Sequence, residues 1–170
     1  MIIGNPYNFA VCFQNINEWN SDNLGTNGVF LFFIDGFIIP TEIENVDIER
    51  EIDILIKELL NISEDKSIFE MEKNEAVEKL YHITFPSDID CDNDYRFHIT
   101  PDEIADRDFF IFVVSNKDKV RFLATSRLKY DIEESTHLFE NMEVFESIIS
   151  YEELKELVDK LKKYKYLMYY

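Results

Sequence analysis

Glycine is scarce in this chain, and the glycines present are poorly placed for nucleotide chemistry. The four glycines among the 170 residues are Gly4, Gly25, Gly28 and Gly36. A phosphate-binding loop and a dinucleotide fingerprint both need glycines at close, fixed spacings that these positions do not provide. The sequence also has no Gly-x-Ser-x-Gly elbow, no Cys-x-x-Cys and no His-Glu-x-x-His. These absences exclude the common nucleotide, hydrolase and zinc sites.

Cysteine is equally scarce, with Cys12 and Cys91 as the only two. Two cysteines are too few for a disulfide scaffold. A single bridge between them is chemically allowed, but in a reducing compartment we expect two unbridged, buried thiols.

Positively charged residues are also few. Lysine and arginine together number 17 against 35 aspartates and glutamates, which gives a formal net charge of −18. Such a chain repels the phosphates of nucleic acid and the anionic surface of a membrane, so we expect it to bind neither. It attracts basic proteins, although salt limits this attraction to about 10 Å. Solubility alone is the other explanation of the charge.

Long apolar runs are absent as well. Segments such as Phe109–Val114 are far shorter than the roughly 20 apolar residues that span a bilayer. The N-terminus begins Met-Ile-Ile-Gly-Asn-Pro and has no basic region of the kind that opens a secretory signal. We therefore expect a soluble, cytoplasmic protein.

Two hairpins are indicated by what the chain does contain. Asp35-Gly36 separates the apolar runs Val29–Ile34 and Phe37–Ile39, and this pair of residues is typical of a type I′ turn. A second hairpin joins Phe109–Val114 to Lys119–Ala124. Its first strand has the pattern of a strand buried on both faces, whereas the second alternates and is predicted to be half exposed.

Helices are indicated where the period of the apolar residues changes. Apolar residues recur at helical spacing from Ile48 to Leu60, which predicts one face of an α-helix. A shorter helix is indicated around Ala76–Tyr81. Near the C-terminus, Ser150 and Glu153 form a capping box ahead of an amphipathic helix that continues through Tyr164.

Together these elements predict a single α+β domain over residues 1–170, with an antiparallel sheet built from hairpins and covered by two or three helices. The last of these is the C-terminal amphipathic helix. Phe9–Gln14 and Val144–Ile149 are expected to add strands. The apolar fraction of 46% and the aromatic fraction of 15% are sufficient for its core.

Three further segments have weaker patterns. Tyr95–Ile99 alternates apolar and polar residues, which predicts a strand. Thr100-Pro101 indicates the start of a short helix, with threonine as the N-cap and proline in the first helical position. The acidic stretch Tyr130–Met142 has no clear period and is expected to be irregular.

Four alternating aspartates mark one polar segment as a candidate site. They are Asp88, Asp90, Asp92 and Asp94. An EF-hand loop starting at Asp88 would need glycine at its sixth position and glutamate at its twelfth, where this chain has Asn93 and Ile99. Three interpretations stay open: a solvated acidic loop, an irregular divalent-cation site, and a contact patch for a basic partner.

Trp19 and Cys91 raise two further alternatives. Trp19 lies in a polar segment and is either part of a core or an exposed anchor for a partner. Cys91 paired with His98 or His82 would be a nucleophile and its base, but an ordinary thiol beside a loop explains the same residues.

Several short motifs, in their order and spacing, resemble those of a known family. They are the opening Met1–Ala10, Glu18-Trp19-Asn20, Asn27-Gly28, Leu80-Tyr81 before Phe85-Pro86, Asn93–Arg96, and Val113–Asn116 before Lys119–Arg121. The chain resembles the immunity protein 42 family, which is found beside polymorphic toxins in bacteria. The resemblance extends from residue 2 to about residue 160.

The resemblance implies a protein that binds and occludes a cognate toxin domain and so protects the producing cell. No motif marks a catalytic site, so it implies no enzyme, cofactor or metal. We expect the toxin to contact Trp19 and the four aspartates, and an acidic inhibitor would suit a basic nuclease domain. The alternatives are a general acidic adaptor without a toxin, or an enzyme that uses Cys91 or a metal.

Overall fold

In the computed structural model, the residues described are 1–20, 26–43, 45–88, 90–133 and 136–167. The strands are β1 Ile2–Gly4, β2 Phe9–Asn15, β3 Asn27–Ile34, β4 Phe37–Ile39, β5 Val46–Asp47, β6 Ile111–Asn116, β7 Lys119–Thr125, β8 Lys129–Asp131, β9 Thr136–Leu138 and β10 Val144–Ser150. The helices are α1 Ile48–Leu60, α2 Lys66–Phe69, α3 Lys73–Thr84, α4 Asp102–Ala105 and α5 Tyr151–Leu167, with a 3₁₀ turn at Asn17–Trp19. The predicted α+β class, with antiparallel sheets and a C-terminal helix, is confirmed.

The first sheet has the strand order β1-β2-β3-β4, and β5 pairs with the start of β3. The predicted Asp35-Gly36 hairpin between β3 and β4 is confirmed. Asp35 has a φ of 52° and Gly36 a φ of 81°, as a type I′ turn requires. Along β3, Phe30, Phe32 and Ile34 are buried, and the residues between them are half-buried.

The second sheet has the order β10-β7-β6 and forms the central layer of the molecule. Successive strand residues point to opposite faces. Ile111 and Val113 of β6 accordingly join the core against the first sheet, while Phe112 and Val114 join a core on the opposite side. The sheet is therefore buried on both faces.

The first core lies between the two sheets and includes one face each of α1 and α5. The rings of Phe9 and Phe122 stack across it with their centroids 3.7 Å apart. The ring centroids of Tyr164 and Phe13 lie 4.5 Å apart, so the C-terminal helix packs against the first sheet as predicted. Each large apolar side chain buried here contributes about 1.5 to 3 kcal/mol to folding.

The second core lies between the second sheet and a helical layer formed by α2 and α3. This layer explains why one prediction was wrong. β7 was expected to be half exposed, but Lys119 is its only exposed residue, and Arg121 is buried to 3% exposure. Arg121 donates from one terminal nitrogen to the carbonyl oxygens of Ile68, Phe69 and Met71 at 2.9–3.0 Å.

Two predicted local structures were wrong near residue 100. Tyr95–Ile99 is not a strand, because a turn closed by His98 N–H donating to Tyr95 O leaves only an isolated bridge between His98 and Phe112. The short helix α4 begins one residue later than predicted, with Pro101 as the N-cap. The Thr100 hydroxyl is engaged instead with the backbone of Ile111.

The stretch 130–142 was predicted to be irregular, but it contains the β8–β9 hairpin, whose pairing runs from Lys129–Leu138 to Asp131–Thr136. By contrast, the capping box of α5 is confirmed. The Ser150 N–H donates to Glu153 Oε2 at 2.8 Å, and the Glu153 N–H donates to Ser150 Oγ at 3.2 Å.

The two cysteines are unbridged, as expected, but the prediction that both are buried was wrong. Cys12 is half-buried and Cys91 is exposed. Cys91 follows α3 on a polar loop with no strand or helix to cover it. None of the helices in the described part of the chain has both the length and the apolarity that crossing a membrane requires.

Candidate partner-binding surface

The acidic segment forms a loop at the C-terminal end of α3, beside the helical layer. The Asp94 N–H donates to the Ile83 carbonyl at 3.3 Å, which brings the end of the loop back to the helix. Asp88, Asp90 and Asp92 are exposed, and Asp94 is half-buried. The loop therefore presents its carboxylates on the side of the molecule opposite the first sheet.

Two of the four carboxylates have partners within the loop. Asp88 Oδ1 accepts from the Asp90 N–H at 3.0 Å. Asp94 forms a two-point ion pair with Arg96, whose Nε and terminal nitrogen lie 2.8 and 2.7 Å from Asp94 Oδ2. Among the described residues, no hydrogen bond or ion pair is seen for the side chains of Asp90 and Asp92, which are exposed.

The described residues do not support the divalent-cation interpretation. Across residues 1–20, 26–43, 45–88, 90–133 and 136–167, no three histidine, cysteine, aspartate or glutamate side chains are grouped to hold a metal ion. The carboxylates of the loop are spread along the surface instead.

Cys91 and the histidines do not form a nucleophile–base pair. The His98 ring packs against the rings of Phe85 and Phe112 with centroids 5.5 and 5.7 Å away, and burial lowers its pKa to about 4. Within the described residues, no hydrogen bond joins Cys91 to His98 or His82. A neutral, enclosed imidazole and an exposed thiol without a base give no basis for thiol catalysis.

Trp19 is an exposed side chain rather than a core residue. It lies in the 3₁₀ turn of the β2–β3 connection, and 41% of its surface is accessible. The turn is held by Asn20, whose amide donates to Asn15 Oδ1 and to the Asn27 carbonyl at 3.0 and 2.9 Å. Trp19 thus lies in the connection between two strands of the first sheet. No contact among the described residues joins it to the acidic loop.

Sequence patterns missed a polar network that anchors the β8–β9 hairpin to α3. Tyr81 Oη lies 2.6 Å from His137 Nδ1, and His137 Nε2 lies 2.9 Å from Asp108 Oδ1. Burial raises the pKa of Tyr81, so its hydroxyl keeps its proton. Because the Asp108 carboxylate accepts from Nε2, the other ring nitrogen of a neutral imidazole, Nδ1, accepts from this hydroxyl. His137 then donates from Nε2 to Asp108, and the three groups hold the hairpin in place.

A chain of ring contacts connects the hairpin to the acidic loop. The ring centroids of Tyr95 and Phe85 lie 5.9 Å apart. Those of Phe85 and Tyr81 are 5.1 Å apart, and those of Tyr81 and His137 are 5.5 Å apart. The contact between His137 and Tyr130, at 5.0 Å, completes it. The loop and the hairpin are therefore both attached to the C-terminal end of α3, through Phe85 and Tyr81.

We call the exposed residues of these two segments the aromatic–acidic face. It consists of Asp88, Asp90, Asp92, Asp94, Tyr95, Tyr130 and Ile132. Tyr95 is 52% exposed, Tyr130 46% and Ile132 83%. Exposed tyrosines are typical of protein-binding surfaces, and carboxylates around them would steer a basic partner. Only the aspartates were singled out from the sequence, because the hairpin that carries Tyr130 was expected to be irregular.

Comparison with known proteins identifies the kind of partner. Residues 1–164 match the sequence profile of immunity protein 42. The chain belongs to the immunity protein 42 family. It is thus an immunity protein, which neutralises a bacterial toxin, as the resemblance in its motifs predicted.

The fold of this immunity protein is also found in a solved structure. A crystal structure of CdiI from Burkholderia dolosa AUO158 aligns over 96% of this chain and 99% of that one, with a TM-score of 0.76 and 18% sequence identity. No curated protein matches the sequence.

Proposed function

We propose that this immunity protein occludes a basic toxin domain in a one-to-one complex through the aromatic–acidic face. The observation that carries the proposal is the attachment of an acidic loop and of a hairpin with an exposed tyrosine to the same end of α3. The carboxylates would attract and orient a basic partner, and the tyrosines would supply contact area once it arrives. A nuclease domain, whose cleft must attract phosphates, is the class of toxin that fits best.

Occlusion needs a rigid surface rather than a reactive group. The face has this rigidity because the Tyr81–His137–Asp108 network and the ring contacts fix both of its parts to α3. We therefore infer a non-enzymatic inhibitor that acts in the cytoplasm of the producing cell. Trp19, on the first sheet, is proposed as a separate contact beyond this face.

The partner can be identified by affinity capture from a lysate of the source bacterium, with washes at low and then high salt. The expected result is one stoichiometric protein that kills cells when expressed alone. Several weakly held proteins would favour a general acidic adaptor instead, and no toxic partner would contradict the proposed function.

The face is then tested by neutralising its charge. Replacing Asp88, Asp90, Asp92 and Asp94 by asparagine should slow association with the toxin by about tenfold or more at low salt, while the melting temperature stays within a few degrees. Stopped-flow mixing at several salt concentrations measures this effect. An unchanged association rate would place the interface elsewhere.

A matched control removes the same number of carboxylates from another surface. The control variant carries Asp118→Asn, Glu152→Gln, Glu156→Gln and Asp159→Asn, all at exposed positions on α5 or the β6–β7 turn. It should associate nearly as fast as the wild type. Trp19→Ala in the same assay should raise the dissociation rate if Trp19 is a contact.

A further inference from the structure

The outer face of the first sheet is apolar but belongs to neither core. Register places Ile2 beside Cys12 and Cys12 beside Leu31 in one row, and Phe33 beside Ile38 in the next. These side chains point away from the first core, because their neighbours in each strand point into it. We call this surface the charge-free face, formed by Ile2, Cys12, Val29, Leu31, Phe33 and Ile38.

An antiparallel sheet with one face on a core normally presents polar side chains on the other. Here Ile2 and Ile38 are 51% and 46% exposed, and the other four are half-buried. Gln14, beside Val29, is a polar residue on the same side. None of the six packs against either core, so within the described residues the face has no cover.

The six residues carry no charge in a molecule whose net charge is −18, and Asp47, paired with Asn27, places an acid at the β5 end of β3. No lysine or arginine precedes Arg50, and Glu18, Asp22 and Asp35 are the only acids before Glu42. Lys160 and Lys163 of α5 line a cleft with Ile2 and so place positive charge at one rim. A surface of this kind can be approached by another acidic protein without bringing carboxylates together.

We propose that the charge-free face binds a second copy of this chain. A basic toxin would gain nothing electrostatically from this surface, whereas two copies repel each other everywhere that their carboxylates meet. A twofold contact through the neutral faces is self-complementary and keeps the acidic surfaces apart. It also leaves the aromatic–acidic face open, because that face lies beyond the second sheet and the helical layer.

The size of the face sets the strength of the contact. At about 4.8 Å per strand and 3.3 Å per residue, four strands give a face of roughly 400 Å² per copy. Two such faces total roughly 800 Å², below the roughly 1,200 Å² of stable interfaces, so the proposed dimer is weak and transient and depends on concentration. Salt strengthens it by screening the repulsion between copies, whereas salt slows the association with a basic toxin.

Sedimentation velocity from about 1 to 300 µM tests the proposal on the full chain. The wild type should form a dimer whose fraction rises with concentration and with salt. Ile38→Asp on the edge strand β4, and Leu31→Asp on β3, should weaken association by about tenfold or more. Circular dichroism checks that both variants are folded, and a wild type that stays monomeric throughout would overturn the proposal.

The control is Ile132→Asp, which places the same charge at a more exposed isoleucine on the β8–β9 hairpin. It should dimerise like the wild type. If Ile132→Asp disrupts the dimer and Ile38→Asp does not, the copies meet through the other face and the proposal fails. A monomeric wild type that loses toxin binding on Ile38→Asp would assign the charge-free face to the toxin instead.

The two cysteines give an independent readout of which face is covered. In a Cys91→Ser variant, maleimide labelling of Cys12 should slow as the protein concentration rises, because the second copy covers it. In a Cys12→Ser variant, labelling of the exposed Cys91 should be independent of concentration. A dimer that leaves Cys12 as reactive as in the monomer would contradict the proposed interface.

Discussion

At the scale of single residues, Glu51 and Arg121 show two outcomes of burying a charged group. Glu51 is 2% exposed, and its Oε1 has no hydrogen-bond partner among the described residues. Arg121 is 3% exposed, but its guanidinium has three carbonyl partners, and its Nε lies 2.5 Å from Glu146 Oε1. An unpaired buried charge costs stability, whereas a fully paired one is tolerated.

Arg121 joins the second sheet to the helical layer, since the carbonyls it binds lie in and just after α2. We expect Arg121→Met to destabilise the protein by about 3 kcal/mol, because the carbonyls and Glu146 lose their partner. Urea unfolding measures the change. Arg127→Met is the control: its side chain is 54% exposed with ion pairs at 3.7–3.8 Å, so its loss should stay under about 1 kcal/mol. Equal losses would contradict the assigned role.

Glu51 makes stability depend on pH. Burial, followed by the nearby Glu103, raises its pKa from 4.5 to about 7, and Arg50 opposes this only in part. The folded state thus binds a proton that the unfolded state releases between pH 4.5 and 7. The stability that Glu51 provides is present below this window and is lost as the pH rises through it.

We therefore expect Glu51→Gln to stabilise the protein at pH 8 by on the order of 1 kcal/mol, and the gain to vanish as the pH falls to about 4.5. The carboxylates of Asp47 and Asp102 also raise the pKa of Glu51. The measurement therefore compares the melting curves of the wild type, Glu51→Gln and the control Glu49→Gln across this pH range. A gain that is the same at every pH would contradict the assignment.

At the scale of elements, regular patterns made some segments predictable. The β3–β4 hairpin follows from Asp35-Gly36, and α1 follows from the helical spacing of Ile48 to Leu60. The burial of β7 could not be read in the same way, because its second face is covered by helices distant in sequence. The sequence of the β8–β9 hairpin has no strong apolar period. Contacts with residues distant in sequence, such as that of His137 with Tyr81, hold this hairpin in place.

The hairpin's attachment can be tested by removing one hydroxyl. Tyr81→Phe deletes the hydrogen bond to His137 and should cost about 1 kcal/mol of global stability. We also expect faster amide exchange in β8 and β9 and a faster-dissociating toxin complex, because part of the aromatic–acidic face becomes mobile.

Tyr164→Phe is the control, since it removes a hydroxyl from a half-buried tyrosine on α5 instead. It should leave exchange in the hairpin unchanged. If both variants alter the hairpin equally, the Tyr81–His137 bond does not anchor it.

At the scale of the whole molecule, the net charge was visible in the sequence but its distribution was not. The alternating aspartates indicated an acidic loop, and the structure attaches this loop and the hairpin of Tyr130 to the same helix. The apolar run Val29–Ile34 predicted a strand, but not that half of its side chains lie outside both cores. Which residues share a face depends on register and layering, and these arise only when distant strands pair.

The double burial of the second sheet has a consequence for how the protein unfolds. Because β6 and β7 supply side chains to both cores, neither core can open while the other stays intact. The aromatic–acidic face and the charge-free face are thereby coupled into one cooperative unit. The amide protons of these two strands should exchange only through global opening, so their protection reports the full free energy of unfolding.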